Sequence, residues 1–135
     1  MIVDDHLILR FGLAMSINRE ADMQVVAEAA SGQKAIDLFR SHRPDVTLMD
    51  LHMPGLGGLA AIAAICQRDK DARVLVLTIH DDAVGRALDA GARGYLLKDA
   101  LFDQLPSAIR AVHGGGEWIP PQAATLRPHL PLPVQ

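Results

Sequence analysis

The stretch Arg73-Val74-Leu75-Val76-Leu77-Thr78-Ile79 decides the fold. Its apolar residues run on without alternating with polar ones. A strand of this kind buries both faces, as strands do in a parallel sheet covered by helices on each side. Working outward, similar apolar segments lie at residues 1–3, 24–29, 46–51 and 95–97. Each segment is followed by helical periodicity: 6–19 after the first, 32–42, 59–68 and 83–90 after the next three, and 102–113 after the last. Five strand-helix units joined by right-handed crossovers make a doubly wound α/β fold, a five-stranded parallel sheet flanked by five helices. Pro44 closes the second helix and Gly114-Gly115-Gly116 stops the last. From Pro120 onward, with Pro121, Pro128, Pro131 and Pro133, the chain reads as an extended linker. The expected division is one domain over 1–117 and a Pro-rich tail over 118–135.

Composition narrows the function classes. The chain has 135 residues, half of them apolar, enough for one domain with a real core. A formal charge of −3 with no Lys/Arg run argues against direct contact with a nucleic-acid backbone. Cys66 is the single cysteine, so no internal disulfide forms, which fits a reducing cytoplasm. No apolar stretch approaches the ~20 residues of a membrane span, and no signal-peptide pattern opens the chain. The expected setting is cytoplasmic, with no membrane partner.

Chemistry concentrates at one edge of the predicted sheet. Asp4 and Asp5 follow the first strand, Asp50 ends the third, Thr78 lies near the end of the fourth and Lys98 follows the fifth. In an open parallel sheet the carboxyl ends of neighbouring strands form the ligand crevice, so residues far apart in sequence converge there. Close carboxylates need a cation. Three acids, a hydroxyl and an ammonium together complement a hard divalent ion and a phosphoryl group, and Mg²⁺ prefers carboxylate, water and phosphate oxygens.

The order of these residues and their flanking words resembles the receiver domain of two-component response regulators. The resemblance is to the NarL/FixJ type, which normally precedes a LuxR-like helix-turn-helix domain. It rests on Val3-Asp4-Asp5-His6, on Asp50-Leu51-His52-Met53-Pro54-Gly55 with Gly57-Gly58, on Leu77-Thr78, and on the run from Gly91 through Tyr95 to Lys98-Asp99. It implies a flavodoxin-like strand order of 2-1-3-4-5. It also implies that Asp50 is the phosphoacceptor, taking a phosphoryl group from a sensor histidine kinase. Asp5 and Asp50 would ligate Mg²⁺ together with the backbone carbonyl of His52, and Asp4 would act through water. Thr78 and Lys98 would contact the phosphoryl oxygens. Tyr95 matches the family's switch aromatic, expected to turn inward after phosphorylation and remodel the face of the fourth helix, fifth strand and fifth helix. His52 and His80 would shield the phosphoaspartate and slow its hydrolysis. A homodimer on activation follows by the same resemblance. DNA would be reached only through an effector domain outside this sequence, since no helix-turn-helix pattern follows Gly116. The chain would accept and release a phosphoryl group without being a turnover enzyme.

Plainer readings stand beside these. A single Asp after a strand is usually a helix cap, Thr78 alone is an ordinary β-branched strand residue and Lys98 alone a solvated lysine. Their shared register with Asp50 favours function. An Asp-nucleophile phosphatase would carry a second acid two positions after Asp50, where His52 stands. A nucleotide-binding module would carry a Gly-rich loop where Asp4-Asp5-His6-Leu7 stands. The six histidines lack paired metal-ligand spacing, so no zinc site is expected. Two departures from the family pattern bear on switching. Only three residues precede the acidic pair, and the segment 79–90 is shorter than usual. These keep open a degenerate receiver, an interaction module that works without phosphorylation.

Overall fold

A computed structural model of the protein describes residues 1–80 and 82–120. Continuous apolar runs become the centre of a parallel sheet, as the sequence predicts. The strands are β1 (Ile2–Val3), β2 (Glu28–Ala29), β3 (Thr47–Asp50), β4 (Val74–Thr78) and β5 (Gly94–Leu97), arranged β2-β1-β3-β4-β5. The helices are α1 (Leu7–Asn18), α2 (Gly32–His42), α3 (Gly58–Arg68), α4 (Val84–Ala90) and α5 (Leu101–His113), with a 3₁₀ turn over Lys98–Ala100. The order reverses between β1 and β3, the switch point where α/β sheets bind ligands.

Strand residues alternate between two buried layers. Val3, Met49, Val74, Val76 and Tyr95 pack with α2, α3 and α4 through Phe39, Ile62, Ile65, Val84 and Leu88. Ile2, Leu48, Leu75, Leu77 and Leu96 pack with α1 and α5 through Leu13, Ile17, Leu101, Leu105 and Val112. Each layer removes large aliphatic surface from water, at roughly 1.5–3 kcal/mol per fully buried side chain.

One expected element shrinks. The second strand, predicted over 24–29, pairs only as Glu28–Ala29, because its sole neighbour β1 is itself two residues long. The Ile2 amide still donates to the Ala27 carbonyl at 3.1 Å, but the ladder has no partner further back. The segment before α4 is short, and α4 has seven residues. Beyond α5 the chain turns back. Trp118 forms a parallel bridge with Gly94: the Tyr95 amide donates to the Trp118 carbonyl at 3.0 Å, and the Trp118 amide donates to Arg93 at 3.1 Å. A Cβ on Gly94 would overlap that Trp118 carbonyl, so only glycine fits there. The Pro-rich tail from Pro121 to Pro133 lies outside the described residues. Among the described residues no helix is long and apolar enough to cross a membrane.

Candidate functional site

Sheet register assembles the site. Val3 pairs with Met49, so Asp4 emerges beside Asp50; Asp50 pairs with Leu77, and Thr78 with Leu97, so Thr78 and Lys98 each follow by one step. The loop after Asp50 folds back on the strand end at Gly58, where a Cβ would overlap the Asp50 carbonyl. That close approach explains why the turn carries glycine at this position.

The acids are buried, and their oxygens are unequally satisfied. Asp4 and Asp50 are wholly inaccessible, and Asp5 is partly so. The Lys98 ammonium donates to Asp4 Oδ2 at 3.1 Å and lies 3.4 Å from Asp50 Oδ1. Asp50 Oδ1 also accepts the His52 amide at 3.2 Å. Asp50 Oδ2 is buried with no hydrogen-bond partner, and Asp5 Oδ1 likewise makes none. Burial pushes the Asp50 carboxyl above its usual range and the Asp4 charge adds to the push, while the His52 amide and the Lys98 ammonium oppose it.

Two residues join the site that the sequence did not single out. The His6 amide donates to Asp4 Oδ1 at 2.8 Å, which brings the ring Nδ1 to 3.1 Å from the same oxygen and 3.2 Å from Asp5 Oδ1. Arg10, on the first turn of α1, donates from Nη1 to the Asp4 carbonyl at 2.8 Å and from Nε to Glu28 Oε1 at 3.2 Å. A linear signal existed for His6, since an Asp two residues before a helix start commonly accepts the amide there. None existed for Arg10, whose contact depends on helix phase.

Thr78 and Tyr95 are fully buried. The Thr78 hydroxyl donates to the His80 carbonyl at 2.6 Å. Tyr95 packs inward, in the buried layer that the sheet shares with α2, α3 and α4. The His52 and His80 side chains are exposed beside the site.

The comparison that decides the family is a match of residues 1–110 to the family model for the response regulator receiver domain. The chain belongs to the response regulator receiver family. This receiver is 42% identical over 128 residues to the oxygen regulatory protein NreC of Staphylococcus carnosus, covering 93% of its own length and 59% of that protein. It is 41% identical over 124 residues to the transcriptional regulatory protein DegU of Brevibacillus brevis, covering 90% and 52%. The receiver thus spans a little over half the length of these relatives. Among solved structures, a LuxR-family two-component response regulator from Aurantimonas sp. superposes with a TM-score of 0.87 at 39% identity, covering 95% of this receiver and 93% of that chain. The isolated receiver domain of RcsB from Salmonella enterica, solved with the phosphomimetic BeF3⁻, superposes at 0.81 with 28% identity, covering 93% and 94%.

The receiver's acidic cluster suits a hard cation. Ligand atoms of Asp4, Asp5, His6 and Asp50 all lie within 4.8 Å of one another. Three carboxylates face one ammonium, and a buried carboxylate oxygen without a partner is costly unless a cation or donor completes it. Oxygen donors of this kind fit Mg²⁺.

Proposed function

We propose that the chain is the phosphoacceptor receiver of a two-component response regulator. In this reading Asp50 takes a phosphoryl group from a phosphohistidine on a sensor kinase and the protein relays the signal. The observation that carries this is Asp50 itself. It is buried at the switch point, with one oxygen held by Lys98 and His52 and the other free of any hydrogen bond. The free oxygen attacks phosphorus, an oxygen–phosphorus bond forms, the nitrogen–phosphorus bond breaks, and the histidine keeps the electron pair. The product is an acyl phosphate with about two negative charges in place of one.

The other residues position and compensate. Lys98 bridges Asp4 and Asp50 and would follow the arriving charge onto the phosphoryl oxygens. Asp4, Asp5 and Asp50, with the His52 carbonyl, would hold Mg²⁺, which when bound supplies positive charge against the phosphoryl oxygens. Thr78 would release the His80 carbonyl to reach the phosphoryl group, freeing the segment after β4. Tyr95, packed inward on β5, and that hydroxyl would together form the switch. His52 and His80 flank the site and would slow dephosphorylation; a His52→Gly, His80→Gly double variant that lost the phosphoryl group no faster would end that role. Chain 1–117 is the receiver unit in this reading and 118–135 leads toward an effector domain. DNA binding and transcription control belong to the whole regulator, with a homodimer as its active form. The setting is cytoplasmic, and the receiver is consumed and regenerated rather than turning over a substrate.

The decisive experiment is intact mass after incubation with acetyl phosphate, with and without Mg²⁺. A Mg²⁺-dependent adduct of one phosphoryl group on Asp50 is the expected result. A second reading, an interaction module that works without phosphorylation, draws on the seven-residue α4. A folded protein that gains no mass under any condition would favour that second reading.

A further inference from the structure

The acidic pair is held from outside the pocket by a residue with no place in the phosphoryl chemistry. The Arg10 side chain is mostly buried, 16% exposed, and spans two elements. Its Nη1 grips the Asp4 carbonyl at 2.8 Å, while its Nε is held by Glu28 of β2 at 3.2 Å. The Asp4 carbonyl belongs to the peptide unit that ends at the Asp5 nitrogen, and that unit is planar. Gripping its oxygen therefore helps to place the Asp5 Cα, from which the carboxylate is carried.

Asp4 needs little of this help. Its amide donates to the Ala29 carbonyl at 3.0 Å, and its carboxylate is held by His6 and Lys98. Asp5 has less: His6 Nδ1 lies 3.2 Å from its Oδ1 as an ion-pair contact without a hydrogen bond. Lys98 reaches Asp4 and Asp50, and the buried Asp5 Oδ1 makes no hydrogen bond of its own. The backbone is thus the main anchor for the acid that the pocket holds least, and Arg10 grips that backbone.

We propose that Arg10, braced by Glu28, is a positioning residue that presets Asp5 for the divalent cation. It governs ion affinity rather than the reactivity of Asp50. The proposal rests on the reading of Asp4, Asp5 and Asp50 as the cation site. Residues that orient metal ligands typically change affinity by about 10–100-fold when lost, and a backbone anchor of this kind falls in the same class.

The test is calorimetric titration of the intact chain with Mg²⁺, well below the melting temperature, for wild type, Arg10→Ala, Arg10→Lys and Glu28→Gln. Arg10→Ala is expected to weaken Mg²⁺ binding by about 10-fold or more. Arg10→Lys, able to serve one acceptor but not both, should recover part of the loss, and Glu28→Gln should fall between lysine and wild type. The concentration of Mg²⁺ giving half-maximal phosphoryl uptake should rise in step, while the rate at saturating Mg²⁺ stays near that of wild type. If Arg10→Ala lowers only the melting temperature and binds Mg²⁺ as wild type does, Arg10 is structural and the proposal is overturned. If instead wild type itself binds no Mg²⁺, the cation-site reading fails first, and the two failures are told apart. Should Arg10→Ala prove too unstable to titrate, Glu28→Gln carries the same comparison. Its unchanged affinity would likewise overturn the brace.

Discussion

The two ends of the sheet treat charge in opposite ways. At the carboxyl end, the wholly inaccessible Asp4 and Asp50 share the Lys98 ammonium beside a third acid, Asp5, and Asp50 Oδ2 is left without a hydrogen bond. At the amino end, Arg110 of α5 meets Glu20 at 2.7 Å and Asp22 at 2.9 Å, and Arg110 and Asp22 are both open to water. The Arg110 hydrogen bond holds Asp22 below the usual carboxylate range, whereas burial holds Asp50 above it. The surface cluster is complete as it stands and, being solvated, adds little to stability. The buried cluster leaves carboxylate oxygens without a hydrogen bond beside a charge partner at a switch point, the environment in which perturbed groups at functional sites are found.

The contrast is broken most severely if Asp50 is not the acceptor. Asp50→Asn should abolish phosphoryl uptake from acetyl phosphate, read by intact mass; full labelling mapped elsewhere would remove the buried cluster from the chemistry. Next in size is the cation. At 100 times its dissociation constant, Mg²⁺ should stabilise the wild type by about 2.7 kcal/mol in thermal melts. Equal stabilisation of Asp50→Asn would mean that the ion binds elsewhere. Lys98→Ala strips the buried carboxylates of their ammonium and should destabilise the fold by roughly 2 kcal/mol in urea titration. Some phosphoryl uptake should persist, uncoupled from any change in oligomeric state.

Smaller effects sharpen the same comparison. In metal-free buffer Asp50→Asn should melt a few degrees above wild type at neutral pH. The native Asp50 carboxyl binds its proton more tightly than the unfolded chain does. Between the ordinary carboxylate value and the raised native one, wild-type stability therefore falls as pH rises, and above that window the full cost is present. The advantage of Asn should shrink as pH drops through the window; an advantage independent of pH would point to packing instead. Last, Arg110→Ala should leave the melting temperature unchanged within error. A clear loss would show that the exposed cluster holds α5 to the rest of the molecule.

Much of this was legible in the sequence, for reasons that differ by residue. Val74-Leu75-Val76-Leu77 announces a doubly buried strand because burial on both faces forbids polar alternation. The convergence of Asp4, Asp50 and Lys98 follows from strand ends in register, and the structure brings them together as expected. The length of β2 was not legible, since pairing is set by a neighbour that offers two residues. Arg10 escaped because its acceptor is a backbone carbonyl, and composition does not reveal which carbonyl a helix side chain will meet. Tyr95 was legible as a residue of β5 matching the family's switch aromatic. Its inward packing is a matter of conformation, which a string of residues does not carry.

The bridge between Gly94 and Trp118 has a consequence for association. An outer strand with open amides and carbonyls is a template on which another chain can add its own strand. On one side of this sheet the outer strand β2 has two residues, too few to offer a useful ladder. On the other, β5 is longer, but Trp118 already occupies the Tyr95 amide and the Arg93 carbonyl. Among the described residues, the start of β5 is thus closed to a neighbouring strand, and β2 offers little ladder for one. Cutting the chain before Glu117 would turn the margin at residues 93–95 into a seed for aggregation.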